Sequence, residues 1–301
     1  MCVGKLAVRY IRTSTAKYDA KRIARQTPPE GVSVQEFAYL DDGDPMHMLN
    51  VYRPEGEEGV LPLIVNVHGG AWVYGDKDLN KYYCMYLASK GFCVVGMSYR
   101  LAPAVTLKEQ VSDVVASMHA VCERAEELGA DTSRVMLSGD SAGGHLASLV
   151  LCTMLSPELA RVYEVKPPEM DVRCLVMSHP VCEVHSVLRD KNCLPDKRHK
   201  VVQRVFDKIL FGEHPHDAPV YEHSAFTEYA KGVTLPAVML IGCERDVYAR
   251  HSVYLSGLLA AMKKQGNCSD FLFDYVRTEE ESRKLRHVYN IVHYEREDSK
   301  R

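Results

Sequence analysis

The chain has 301 residues, 46% hydrophobic and 26% charged, with a net charge of −3. That length can bury one sizeable α/β core, and the mild acidity gives no reason to expect nucleic acid or an anionic membrane as partner. No apolar run is long enough to span a bilayer, and the ten cysteines, with no C-x-x-C pair, read as reduced core thiols.

Residues 1 to about 30 read as a helix with basic Lys5, Arg9 and Arg12, stopped by Pro28-Pro29. They lack the apolar stretch of a secretory signal. Their Arg/Ser/Thr bias also fits a transit peptide, and a cytoplasmic location is the favoured expectation. Val34–Leu40 and Met46–Tyr52 flank Asp41-Asp42-Gly43-Asp44 as a hairpin. Leu63–His68 and Phe92–Met97 are apolar runs of the kind buried on both faces of a parallel sheet. Helices are expected over Leu79–Lys90 and Leu107–Leu128, a strand over Val135–Ser138, and a helix from Ser141 to about Leu155.

Further strands are expected at Cys174–Ser178, Ala237–Ile241 and Phe271–Val276, with helices over Val247–Lys264 and the last twenty residues. This alternation predicts an α/β fold with an eight-stranded, mostly parallel sheet, helices on both faces and a cap. Residues 1–301 form a single domain, with cap elements from about 1–30 and 182–229. The second cap element holds one helix near Lys197–Leu210 and interrupts the alternation.

Gly139-Asp140-Ser141-Ala142-Gly143 fits the strand–turn–helix motif G-x-S-x-G, in which a strained turn lifts the serine hydroxyl clear of the sheet. A serine needs a base, and the base needs an orienting acid. Asp246 follows the seventh strand and His287 follows the eighth, in the chain order expected of an α/β hydrolase. Glu244 competes with Asp246 as the acid, and His293 with His287 as the base. Asp246 and His287 are preferred. The charged run Glu279–Arg286 is a solvated loop or part of the site's rim.

His68-Gly69-Gly70-Ala71-Trp72 ends the third strand. Small residues there let backbone N–H groups face a substrate oxygen, so Gly69, Gly70 and Ala71 are candidate oxyanion donors, with the Ala142 N–H as the other arm. His68 is expected to hold this loop. His214, His216 and His223 lack recognisable ligand spacing and are expected in a polar cap loop, with no metal.

Three motifs, His68-Gly-Gly-Ala-Trp72, Ser98-Tyr-Arg-Leu-Ala-Pro103 and Gly139-Asp-Ser-Ala-Gly-Gly144, resemble the hormone-sensitive-lipase-like carboxylesterase branch of the α/β hydrolases. The likeness runs over roughly residues 34 to 292. It implies a serine carboxylesterase acting on short- or medium-chain acyl esters through Ser141, Asp246 and His287, and a structural role for Asp113. Ala71 replaces the usual third glycine, a form also seen in kynurenine formamidases and acetylesterase-like relatives. An amidase or acetylesterase on the same triad is therefore the alternative. A non-catalytic receptor of the gibberellin-receptor type is a remote third reading, opposed by the presence of His287. No cofactor is implied, the partner is a small-molecule ester, and a homo-oligomer is compatible with the composition.

Overall fold

The computed structural model describes residues 2–186, 196–277, 285–296 and 299. Helix α1 (Cys2–Ile23) precedes strands β1 (Val32–Ala38), β2 (Met48–Pro54) and β3 (Leu61–Val67). Helix α2 (Lys81–Ala88), β4 (Cys93–Met97), α3 (Leu107–Glu123), α4 (Ala125–Leu128) and β5 (Ala130–Asp140) follow. Then come α5 (Ala142–Leu155), α6 (Pro157–Tyr163), β6 (Val172–Ser178), α7 (Asp196–Phe211) and α8 (Phe226–Tyr229). The described chain closes with β7 (Ala237–Cys243), α9 (Ala249–Lys264), β8 (Phe271–Val276) and α10 (Tyr289–Val292).

Among the described residues, eight strands make one sheet in the order β1-β2-β4-β3-β5-β6-β7-β8. The β1–β2 and β2–β4 pairs are antiparallel, and every later pair is parallel. The chain has the α/β-hydrolase fold. Leu63, Ile64, Val65 and Val67 of β3 are fully buried, as a strand covered on both faces must be. Helix α5 is buried along Ala142–Thr153, which explains why its sequence is apolar all round.

Four local expectations differ from the structure. Strand β5 starts at Ala130 rather than Val135, because Ala130 and Asp131 pair with Leu61 and Pro62 before a register shift. The polar stretch Asp131–Arg134 hid that pairing. The long helix from Leu107 breaks at Arg124, and its short continuation α4 ends on left-handed Gly129. Helix α6 was not expected, although Ser156 caps the Leu159 N–H at 3.2 Å and Pro157 starts the helix, a standard entry signal. In place of a helix over the last twenty residues, α10 is a four-residue helix behind left-handed Val288. Most of the charged run Glu279–Arg286 lies outside the described residues.

Helix α1 packs on α7, where a Cβ at Gly4 would lie 3.5 Å from Val205. Behind them, α5 crosses the ends of β3 and β5 at almost no distance. A Cβ on Gly143 would sit 2.1 Å from the Val67 carbonyl oxygen, and one on Gly139 2.3 Å from the Gly143 carbonyl oxygen. Alanine favours a helix by about 1 kcal/mol over glycine, but here backbone would have to move. Gly143→Ala is therefore expected to lower the melting temperature by at least about 4 °C. A thermal scan showing an unchanged or raised midpoint contradicts that close approach.

Candidate active site

The crossing of β5 into α5 leaves Ser141 at φ 51° and ψ −117°. A non-glycine residue holds such a conformation only where its surroundings over-determine it. Here the Ser141 N–H donates to the Ser178 carbonyl at 2.9 Å, and the Ser141 carbonyl accepts from His145 and Val181. The hydroxyl lines a cavity of about 460 Å³ together with Gly70, Asp140, Tyr248 and His287.

Asp246 and His287 come together from the β7 and β8 ends, with His287 Nδ1 2.9 Å from Asp246 Oδ1. The Asp246 side chain is 0% exposed and the imidazole 26%. Burial pushes the Asp246 carboxyl upward, but the His287 hydrogen bond, the nearby His287 and His179 rings and the Tyr248 N–H together outweigh it and hold the acid below its usual range. Glu244 is exposed and anchored through its backbone N–H to Val276. His293 is exposed beside a separate basic cavity. Among the described residues no hydrogen bond joins the Ser141 hydroxyl to His287. The two groups share one cavity wall, and such bonds often tighten only with substrate bound.

The loop after β3 corrects one expected donor. The Gly69 N–H is occupied, donating to Asp140 Oδ1 at 3.0 Å. The same oxygen accepts from Asn80 Nδ2 at 2.7 Å. A Cβ on Gly69 would also collide with the Asp140 carboxylate. The N–H groups of Gly70, Ala71 and Ala142 have no partner among the described residues. Gly70 (φ 113°), Ala71 (φ 53°) and Trp72 (φ 61°) all lie in the left-handed region. At Gly70 a Cβ would meet the Tyr74 carbonyl oxygen at 2.0 Å, so only glycine fits.

Several anchors hold this loop. His68 Nδ1 donates to the Gly69 carbonyl at 2.7 Å, and its ring stacks on Tyr99. The Tyr99 hydroxyl bonds the His68 carbonyl at 2.9 Å, and Gln110 donates to the Trp72 carbonyl at 2.8 Å. Asp113 holds Arg100 through its backbone N–H and its guanidinium, which gives it a structural role. From α1, Arg12 donates to the Val73 carbonyl at 2.7 Å, and Phe206 of α7 packs edge-on against Trp72. His216, from the histidine-rich cap stretch, packs on Tyr221.

Residues 49–259 match the BD-FAE family. Esterase B from Lactobacillus rhamnosis, solved with a C6-C4 SN3 inhibitor, is 32% identical at a TM-score of 0.89, covering 99% of this chain and 92% of that one. An ethyl acetate hydrolase from Pseudomonas putida is 32% identical over 144 residues, 47% of this chain and 44% of that protein. An isoprenylcysteine alpha-carbonyl methylesterase from Arabidopsis thaliana is 34% identical over 115 residues, 38% of this chain and 27% of that protein. The chain thus spans under half the length of these curated relatives. No helix among the described residues is long and apolar enough to cross a membrane.

Two fully buried histidines beside the candidate site escaped the sequence reading. His145 accepts from Trp72 Nε1 at 3.2 Å and donates through Nε2 to the Ser224 carbonyl at 2.7 Å, tying the loop after β3 to the insertion. Its place one turn after Ser141, with a lone tryptophan elsewhere, was the available signal. His179, left-handed at φ 49°, lies behind His287 and Tyr289 with ring centroids 5.7 and 5.4 Å away. Because Ser178 Oγ donates to Asn290, His179 Nδ1 must donate to Ser178.

Burial lowers His68 and His145 to about 4 and His179 to about 3 from the ordinary 6.5. Each folded value is depressed, so its stability contribution is complete above pH 6.5 and is lost as pH falls towards 4. The unfolded chain binds the extra protons, each worth about 1.4 kcal/mol per pH unit. Urea unfolding of His145→Gln between pH 7 and 5 is expected to show a slope shallower by about one proton. An unchanged slope contradicts a buried, neutral His145.

Proposed function

Because the chain belongs to the BD-FAE family and to the hormone-sensitive-lipase-like carboxylesterase branch of the α/β hydrolases, we propose that it hydrolyses short- and medium-chain acyl esters through Ser141, His287 and Asp246. The observation that carries this reading is the 2.9 Å contact between His287 Nδ1 and buried Asp246, on the cavity that the strained Ser141 also lines. With Nδ1 donating to the carboxylate, Nε2 keeps a lone pair for the Ser141 proton.

The Ser141 oxygen attacks the ester carbonyl, and His287 takes its proton. Negative charge develops on the carbonyl oxygen, where the N–H groups of Gly70, Ala71 and Ala142 are the donors. The N-terminal end of α5 adds its positive dipole. His287 returns the proton to the departing alcohol, leaving the acyl group on Ser141. Water, deprotonated by the same imidazole, releases the acid. Asp246 fixes the tautomer and stabilises the imidazolium without taking the proton. Held below its usual range, its carboxyl stays ionised throughout neutral pH.

Ser141→Ala is expected to abolish turnover of p-nitrophenyl butyrate and covalent labelling by a fluorophosphonate, with an unchanged unfolding midpoint. Asp246→Asn should lower kcat by about 10⁴, and Glu244→Gln by less than about twofold. Steady-state kinetics reversing the two acid variants would move the role to Glu244. Full activity in Ser141→Ala removes Ser141 as the nucleophile.

A further inference from the structure

Two cavities meet at Ser141. One, of about 150 Å³, is walled by Ala7 and Ile11 of α1, Phe206 and Ile209 of α7, Trp72 and Val181. Its polar side chains are Ser141 and Tyr248. The other, of about 460 Å³, includes Thr15, Tyr18, Asp19, Arg22, Asp140 and His287. Ala71 and Ser141 line both, as do Ile11 and Tyr248, which therefore stand between them. His287 lines only the second.

We infer that these two arms divide the ester, the small apolar arm taking the acyl chain and the larger polar arm a hydroxyl-bearing alcohol. The assignment rests on the esterase reading above. In acylation the Ser141 Oγ–carbonyl bond forms and the carbonyl–alkoxy bond breaks, with the serine proton passing by way of His287 to the leaving oxygen. A general acid must lie within hydrogen-bond reach of the atom that it protonates. The alcohol therefore departs on the His287 side, while the acyl chain stays on Ser141 and needs a space that does not contain the imidazole. The carbonyl oxygen sits at the shared wall, beside the Ala71 N–H.

Volume then limits the acyl group. An apolar cavity of about 150 Å³ accepts a guest the size of benzene, so the acyl arm suits chains of up to about six carbons. Phe206 and Ile209 close it from the insertion, and Ala7 from α1. The second arm offers a different chemistry. Asp19 and Arg22 are paired at 2.9 Å, and Arg22 also donates to the Leu79 carbonyl at 2.8 Å. Their charges offset one another. Such a pair, beside the hydroxyls of Thr15 and Tyr18, favours a neutral alcohol with several hydroxyl groups over an ionic one.

The test is kcat/KM for p-nitrophenyl esters from acetate to decanoate, and for the butyrates of methanol and glycerol. The intact enzyme should lose at least tenfold between hexanoate and decanoate. Phe206→Ala should move the cut-off to longer acyl chains and Ala7→Leu to shorter ones, both leaving the glyceryl-to-methyl butyrate ratio unchanged. Thr15→Phe should lower that ratio at least fivefold without moving the acyl cut-off. The arm assignment is overturned if Phe206→Ala or Ala7→Leu changes the alcohol ratio while the acyl profile stays fixed, or if Thr15→Phe moves the acyl cut-off. Absence of turnover on every ester instead overturns the esterase reading, and the arms with it.

Discussion

The constraint on which the rest of the site depends is the crossing of α5 over the ends of β3 and β5. Gly143 touches the Val67 carbonyl and Gly139 touches Gly143, with no room for a methyl group at either contact. The turn between them has no freedom left, and Ser141 takes up the left-handed backbone that results. The same crossing brings the start of α5 directly against the end of β3. The strain at the serine is thus a consequence of that packing requirement.

The loop after β3 is held from three sides. Asp140, next to the serine, fixes the Gly69 N–H, and Asn80 steadies that carboxylate. Tyr99 and Gln110 pin neighbouring carbonyls. Arg12 and Phe206 bring helices α1 and α7 onto the same loop. Burial raises the Asp140 carboxyl, and its hydrogen bonds with Asn80 and Gly69 oppose that rise. Three residues of the loop sit in left-handed conformations, which such a network can stabilise. Helices α1 and α7 therefore touch the loop after β3 as well as lining the cavity beside Ser141.

Much of this was legible in the sequence. Apolar runs such as Leu63–Val67, broken only by Asn66, announce doubly covered strands, and G-x-S-x-G with a following acid and histidine gives the order of the proposed site along the chain. Spacing did not reveal which glycine N–H is already bonded, because Asp140 reads as the variable residue of the motif while its carboxylate occupies Gly69. His179 was equally hidden: its position depends on the end of β6 meeting the segment after β8 that carries His287 and Tyr289, a contact across more than a hundred residues. The early start of β5 was lost because Asp131–Arg134 is polar and pairs through backbone alone. Local pattern shows where elements lie, and tertiary packing decides which of their polar groups remain free.

The central claim, that the strained Ser141 carries the acyl group, is tested most directly by mass spectrometry of enzyme acid-quenched during turnover of a p-nitrophenyl ester. The peptide containing Ser141 should carry the acyl mass at that residue. An acyl group found elsewhere in an actively hydrolysing enzyme, with Ser141 unmodified, would contradict the account.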